Sequence, residues 1–117
     1  MIRLETRRDD ASRWRLVVRT SSRADVLAHE AGGRDRPPWP EAVAQLREGA
    51  GELEVVRDET MHFRWLLHAA DGSVVAESPA VHRDAGLCRI SYANARRAAG
   101  TVLGRLRPTV SGARSGS

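Results

Sequence analysis

Arginine and histidine side chains that could bind phosphate or a metal ion recur along two short segments with alternating polarity. The six candidates are Arg13, Arg15, Arg19, His62, Arg64 and His68. If the aromatic and aliphatic residues between them face a core, these side chains share the opposite, solvated side. Arginines spaced along an open sheet face can contact phosphates and stack on bases, so the pattern predicts a possible nucleic-acid-binding face.

The same face should also carry acidic residues, which favour a structural interpretation. Glu5, Glu54 and Glu77 are expected to point the same way as the arginines. Cross-strand ion pairs on a solvated sheet face would explain the pattern equally well. The aromatic residues are assigned to the core, so none is left on this face for bases to stack on. Nucleic-acid binding is therefore the alternative hypothesis, and it is not favoured.

The remaining reactive residue types give no catalytic or metal site. His62 and His68 lie six residues apart, which is about 20 Å along a strand, so they cannot bind one ion. Cys88 is the single cysteine, and helical spacing places it near an apolar face, which predicts a buried, inert thiol. The pairs Asp9-Asp10 and Asp58-Glu59 are typical of turns. The sequence predicts no catalytic residue, metal or cofactor, and a protein that is not an enzyme.

Composition limits the protein class more than the function. All 19 basic residues are arginine, which is typical of codon usage in a GC-rich genome, and the net charge is +4. The excess lies in residues 61–117, which contain eight arginines and three acids. The chain lacks an apolar run of membrane-spanning length and a signal-peptide pattern at its charged start. We therefore expect a cytoplasmic protein that does not insert into a membrane.

An internal repeat organises the chain. With an offset of 49 residues, Leu4 aligns with Leu53, Arg8-Asp9 with Arg57-Asp58, and Trp14 with Phe63. Period-two alternation predicts strands at Leu4–Arg7, Trp14–Arg19 and Asp25–His29, and at Leu53–Arg57, Phe63–His68 and Ser73–Ser78. Trp14, Leu16, Phe63, Trp65 and Leu67 are the predicted core residues of these strands. Asp71-Gly72 predicts a tight hairpin turn.

A helix should close each copy of the repeat. The first begins near Trp39-Pro40 and ends at Gly49. The second is expected from about Arg83 to Ala99, with Gly100 as its stop, and Thr101–Arg107 could be a helix extension or a loop. Its expected buried side consists of Leu87, Ile90 and Ala98, with Ala95 or Cys88. Residues 108–117 are expected to form a flexible tail.

The run FRWLLHAADGSVVAES, residues 63–78, resembles the hairpin core of the YegP-like family of bacterial domains. In that family an aromatic-Arg-aromatic strand leads through Ala-Ala-Asn-Gly into a Val-Ile-Ala strand, and a helix follows. The second copy departs from the family at residues 79–82, where the loss of a serine cap predicts a weaker helix start. The resemblance implies tandem β-β-β-α units with their helices exchanged between halves, and it implies no activity.

Together these observations predict an α+β protein in which two tandem β-β-β-α repeats form a single antiparallel sheet with both helices on one face. The repeats span 1–50, in degenerate form, and 51–100, and residues 101–117 are a C-terminal extension. The tandem copies would make the chain equivalent to a dimer, so we expect a monomer. The leading functional hypothesis is a non-catalytic interaction or structural module with an unidentified protein partner.

Overall fold

Six antiparallel strands and two helices build the α+β architecture expected from the sequence. The structure is a computed structural model that describes residues 1–32, 36–49 and 51–106. The strands are β1 (Ile2–Thr6), β2 (Trp14–Arg19), β3 (Ala24–His29), β4 (Glu52–Arg57), β5 (Phe63–His68) and β6 (Val74–Glu77), and the helices are α1 (Trp39–Glu48) and α2 (Ala85–Leu106). The strand order is β1-β2-β3-β6-β5-β4, so two three-stranded meanders join at β3 and β6.

Alternation of side chains decides which residues of the central strands are buried. Trp14 and Leu16 on β2 are buried while Arg15 between them is exposed. Trp65 and Leu67 on β5 are likewise fully buried. The β2–β3 and β5–β6 pairs each contain a register shift, a β-bulge that increases local twist. The two meanders are joined by the pairing of His29 with Glu77.

The core combines large strand side chains with small helical ones. Its buried members include Trp14, Leu16, Trp65, Leu67, Val43, Leu46, Cys88, Ala95, Ala98 and Ala99. Four of the five predicted core residues of the strands are therefore buried as expected. Phe63 differs, since it is only partly buried. It begins β5 at the end of the sheet, where its backbone pairs with His82.

Helix α1 ends where the sequence predicts, and α2 helps to terminate it. Gly49 adopts a left-handed φ of 65°, and its N–H donates to the carbonyl oxygens of Gln45 and Leu46. Arg96 of α2 donates hydrogen bonds to the carbonyl oxygens of Arg47 and Glu48, at 3.3 and 3.0 Å. A guanidinium at this position also complements the negative end of the helix dipole.

Helix α2 corrects three sequence-based expectations. It continues through Gly100 to Leu106, and Val102 extends its buried stripe beyond that glycine. Its start is capped, because the Asp84 carboxylate accepts the Leu87 N–H at 2.8 Å and replaces the missing serine. Leu87 and Ile90 are exposed, whereas the buried stripe follows residues 88, 95, 98, 99 and 102.

Among the described residues, neither α1 nor α2 has the long apolar stretch that a helix needs to cross a bilayer. The flexible tail expected at residues 108–117 lies outside the described residues.

Candidate functional site

Glu5 on β1 binds two of the six candidate residues. Arg15 donates a 2.8 Å hydrogen bond to one carboxylate oxygen of Glu5, and Arg19 donates a 3.2 Å bond to the other. The β1–β2 register creates this contact, since it places Glu5 directly opposite Arg15. The hydrogen bond from Arg19, together with the charge of Arg15, lowers the pKa of Glu5. Both guanidinium groups therefore already have an anionic partner.

His68 has a similar role at the far side of the sheet. One ring nitrogen lies 2.8 Å from a carboxylate oxygen of Glu54 on β4, and the other lies 3.0 Å from the carbonyl oxygen of Gly72. Both acceptors favour the protonated ring. The hydrogen bond to Gly72, followed by the one to Glu54, raises the pKa of His68. The imidazole thus joins β4 to the turn that follows β5.

Arg64 occupies the middle of the sheet, next to the junction between the meanders. Its guanidinium lies 3.6 Å from a carboxylate oxygen of Glu77, and Glu77 pairs across the junction with His29. The Nε atom of Arg64 is buried and has no hydrogen-bond partner among the described residues. This ion pair is the least exposed on the face, since the side chain of Glu77 is 13% accessible.

Arg13 and His62 belong to turns and not to the sheet face. The Arg13 backbone N–H donates to the carbonyl of Asp10, and its side chain lies 3.8 Å from the Asp10 carboxylate. His62 lies after a turn in which the Asp58 carboxylate accepts bonds from the N–H groups of Thr60 and His62. The sequence interpretation of Asp9-Asp10 and Asp58-Glu59 as turn residues fits these contacts, with Asp10 and Asp58 as the acceptors. The structure thus brings four of the six candidates onto one face.

Beside Glu5 the sheet forms a cleft of about 380 Å³ that the sequence did not indicate. It is lined by Glu5, Thr6, Arg7, Arg13, Trp14, Arg15, His29 and Glu30. Its three arginines are opposed by two glutamates, and the His29 ring is hydrogen-bonded to the carbonyl of Glu30 at 2.9 Å. His29 reaches this cleft through the bulged β2–β3 register, which cannot be read from residue spacing. Because these charges largely cancel, the cleft should bind neither anions nor cations strongly.

Burial shifts the pKa of two reactive side chains that lie away from the sheet face, those of Cys88 and His82. Cys88 is fully buried in the core, and burial raises the pKa of its thiol, so the thiolate needed for nucleophilic attack is disfavoured. Burial lowers the pKa of His82, whose backbone pairs with Phe63. Within the part of the chain that the structure describes, no group of three or more metal-ligating side chains comes together.

Comparison with protein-family models, with curated proteins and with solved structures gives no match to this chain. The resemblance to the YegP-like family consequently stays a prediction. The function must be argued from the surfaces themselves.

Proposed function

We propose that this chain is a small non-catalytic interaction module that binds another protein beside the start of α2. The observation that carries the proposal is a group of exposed, large apolar side chains, here named the α2 apolar patch. Its members are Met61, Val81, Leu87 and Ile90, which are 61, 63, 49 and 59% exposed. Exposed apolar residues gathered in one region are typical of protein-binding surfaces.

Backbone contacts bring the segments of Met61 and Val81 together although these two residues are distant in sequence. Phe63 and His82 exchange hydrogen bonds of 2.7 and 3.3 Å, which brings the turn containing Met61 next to the segment containing Val81. Leu87 and Ile90 are three residues apart in the first turns of α2, so they lie on neighbouring positions of one helix face. Protein contact would remove these side chains from water.

The alternative, nucleic-acid binding through the sheet face, has less support. Arg15 and Arg19 share Glu5, and Arg64 is paired with Glu77. Phosphate contacts would require these pairs to break, since each guanidinium would exchange a carboxylate for a phosphate. An arginine that neutralises a phosphate gains from the counterions that the nucleic acid then releases, and an arginine already neutralised by its neighbour contributes little.

We also propose that the chain is a tandem duplication with both helices on one face of the sheet, acting as a monomer. The mirrored strand order, β1-β2-β3 beside β6-β5-β4, supports the duplication. Both helices contribute side chains to one buried cluster, which supports their position on a common face. Helix α1 contacts β6 of the second half, and α2 contacts β1, β2 and β3 of the first half as well as β4 and β5 of its own, so both helices reach across to the other half.

A pull-down from nuclease-treated native lysate tests the interaction proposal. Leu87 and Ile90 are changed together to glutamine, which keeps helix propensity and removes the apolar surface. The matched control changes Thr101, an exposed residue of the same helix, to glutamine. We expect discrete protein partners with wild type and the control, and their loss with the double variant. Retention of partners by the double variant, or their disappearance with nuclease, would contradict the proposal.

A further inference from the structure

β1 is an outer strand of the sheet, and half of its backbone polar groups face away from β2. Met1 and Arg19 exchange backbone hydrogen bonds, so in this register Arg3 and Glu5 bond toward β2. The N–H and C=O groups of Ile2, Leu4 and Thr6 must then point outward. One contact verifies this direction, since Arg105 of α2 donates a 2.6 Å hydrogen bond to the Ile2 carbonyl oxygen.

A mostly apolar groove of about 400 Å³ runs beside this edge. It is lined by Met1, Ile2, Arg3, Leu4, Thr6, Trp39, Val102 and Arg105. Apolar side chains from β1, α1 and α2 form its floor, and two arginines stand at its rim. Among the residues that the structure describes, no acidic one lines it. The groove therefore combines apolar surface, positive charge and outward-facing backbone groups in one place.

The opposite edge of the sheet has a different charge. The N–H of Asp58 bonds to the carbonyl of His62, so the outward-facing backbone groups of β4 belong to Leu53, Val55 and Arg57. The same strand carries the exposed residues Glu52 and Glu54. An acidic peptide would be repelled at β4 and attracted at β1, so the two edges can be distinguished by experiment.

We propose that the β1 edge binds an extended segment of another protein in which apolar and acidic residues alternate. The segment adds a seventh strand by bonding to the outward N–H and C=O groups of Leu4 and Thr6. Its apolar side chains enter the groove beside Leu4 and Trp39. Its acidic side chains meet Arg3 on the other face, where the carboxylate of Glu5 is already paired with Arg15 and Arg19. This surface lies at the opposite end of α2 from the α2 apolar patch, so the inference goes beyond the function proposed above.

The probe is a seven-residue peptide in which valine alternates with glutamate, acetylated and amidated at its ends. It is titrated into isotope-labelled protein while amide and tryptophan indole resonances are followed. We expect saturable shifts in residues 2–6 and in the indole of Trp39. A peptide with lysine in place of glutamate tests the charge, and one N-methylated at alternate amides tests the backbone bonds; both should bind at least fivefold more weakly.

A matched pair of variants tests the edge itself. Thr6→Pro removes one outward N–H at an exposed end of β1 and leaves the β1–β2 bonds intact. Arg57→Pro makes the corresponding change on β4. We expect Thr6→Pro to weaken binding at least fivefold and Arg57→Pro to leave it within twofold. If Thr6→Pro does not fold, Arg3→Glu replaces it and should reverse the preference between the glutamate and lysine peptides.

Three results would overturn the proposal. The first is the absence of shifts at β1, and the second is equal weakening by the two proline variants. The third is a wild-type dimer, seen by light scattering, that is lost in Thr6→Pro, because a second copy of the chain would then occupy the edge.

Discussion

Gly51, immediately before β4, should be the least replaceable glycine among the described residues. Its φ is 93°, and a Cβ added there would lie 1.7 Å from the carbonyl oxygen of His68. Gly72 has a nearly equal φ of 89°, but a Cβ added there meets no atom within 4 Å. Gly51→Ala and Gly72→Ala therefore share the backbone strain and differ in the steric clash.

The expected costs follow from this difference. Backbone strain at positive φ costs about 1–2 kcal/mol for an L residue, and that is the whole expected loss for Gly72→Ala. In Gly51→Ala the obstacle is backbone, so the Glu52–His68 end of the β4–β5 ladder must also open. We expect a total loss of about 3–5 kcal/mol, a large fraction of the 5–15 kcal/mol typical of such domains.

Urea denaturation followed by tryptophan fluorescence measures both variants against wild type. Amide exchange at residues 66–69 should accelerate in Gly51→Ala alone, because that end of the ladder opens. Equal losses of stability in the two variants would refute the reasoning. They would mean that the start of β4 moves aside without cost.

Three further predictions concern single positions. Met61 has a φ of 67°, a left-handed conformation that asparagine tolerates better than methionine. Met61→Asn should therefore raise the free energy of unfolding by about 1 kcal/mol, and a lower melting temperature would count against this. Trp65→Ala removes a fully buried ring that packs edge-on against Tyr92 at 5.1 Å, and should cost about 3–5 kcal/mol in urea denaturation. Folding raises the pKa of His68, so its protonated ring stabilises the folded state. This stabilisation is complete below the unfolded-state pKa of about 6.5, and it is lost as pH rises through the higher folded-state pKa. The melting-temperature difference between wild type and His68→Gln should thus shrink as pH rises above 6.5, and a constant difference would contradict the assignment.

The sheet could be predicted from sequence because alternation is a local signal. Trp14–Arg19 and Phe63–His68 each show period two, and both strands begin and end where that pattern does. The course of α2 could not be predicted in the same way. Gly100 resembles a helix stop, but whether a helix continues past a glycine depends on tertiary packing, and Val102 beyond it is buried in the core. The exposure of Leu87 and Ile90 depends on which face the sheet covers, a long-range property.

The sequence predicts which residue types lie on the charged sheet face. It does not predict which acidic residue pairs with which basic residue. Alternation placed Arg15, Arg64 and His68 together with acidic residues on one face. Which acid binds which base depends on strand register, and the bulges after Leu16 and Leu67 shift that register. Single-residue spacing carries no signal for a bulge at these positions, so the cleft beside Glu5 was missed as well.

We propose that the charged sheet face stabilises the fold and does not bind nucleic acid. One double variant, Arg15→Glu with Arg64→Glu, tests it through two measurements. Its control, Arg89→Glu with Arg97→Glu, makes the same change in net charge on α2. Both arginines are exposed, and neither has an ion-pair partner within 4.0 Å among the described residues.

Melting temperature and affinity for single-stranded RNA are compared at about 150 mM salt, where the screening length is about 8 Å. We predict that the sheet-face variant melts at a lower temperature than the control variant. Glu5 loses one of its two arginine partners and Glu77 loses Arg64, and both then face new carboxylates. We also predict that wild type shows no sub-micromolar RNA binding. An unchanged melting temperature, together with sub-micromolar wild-type binding that the sheet-face variant abolishes, would contradict the claim.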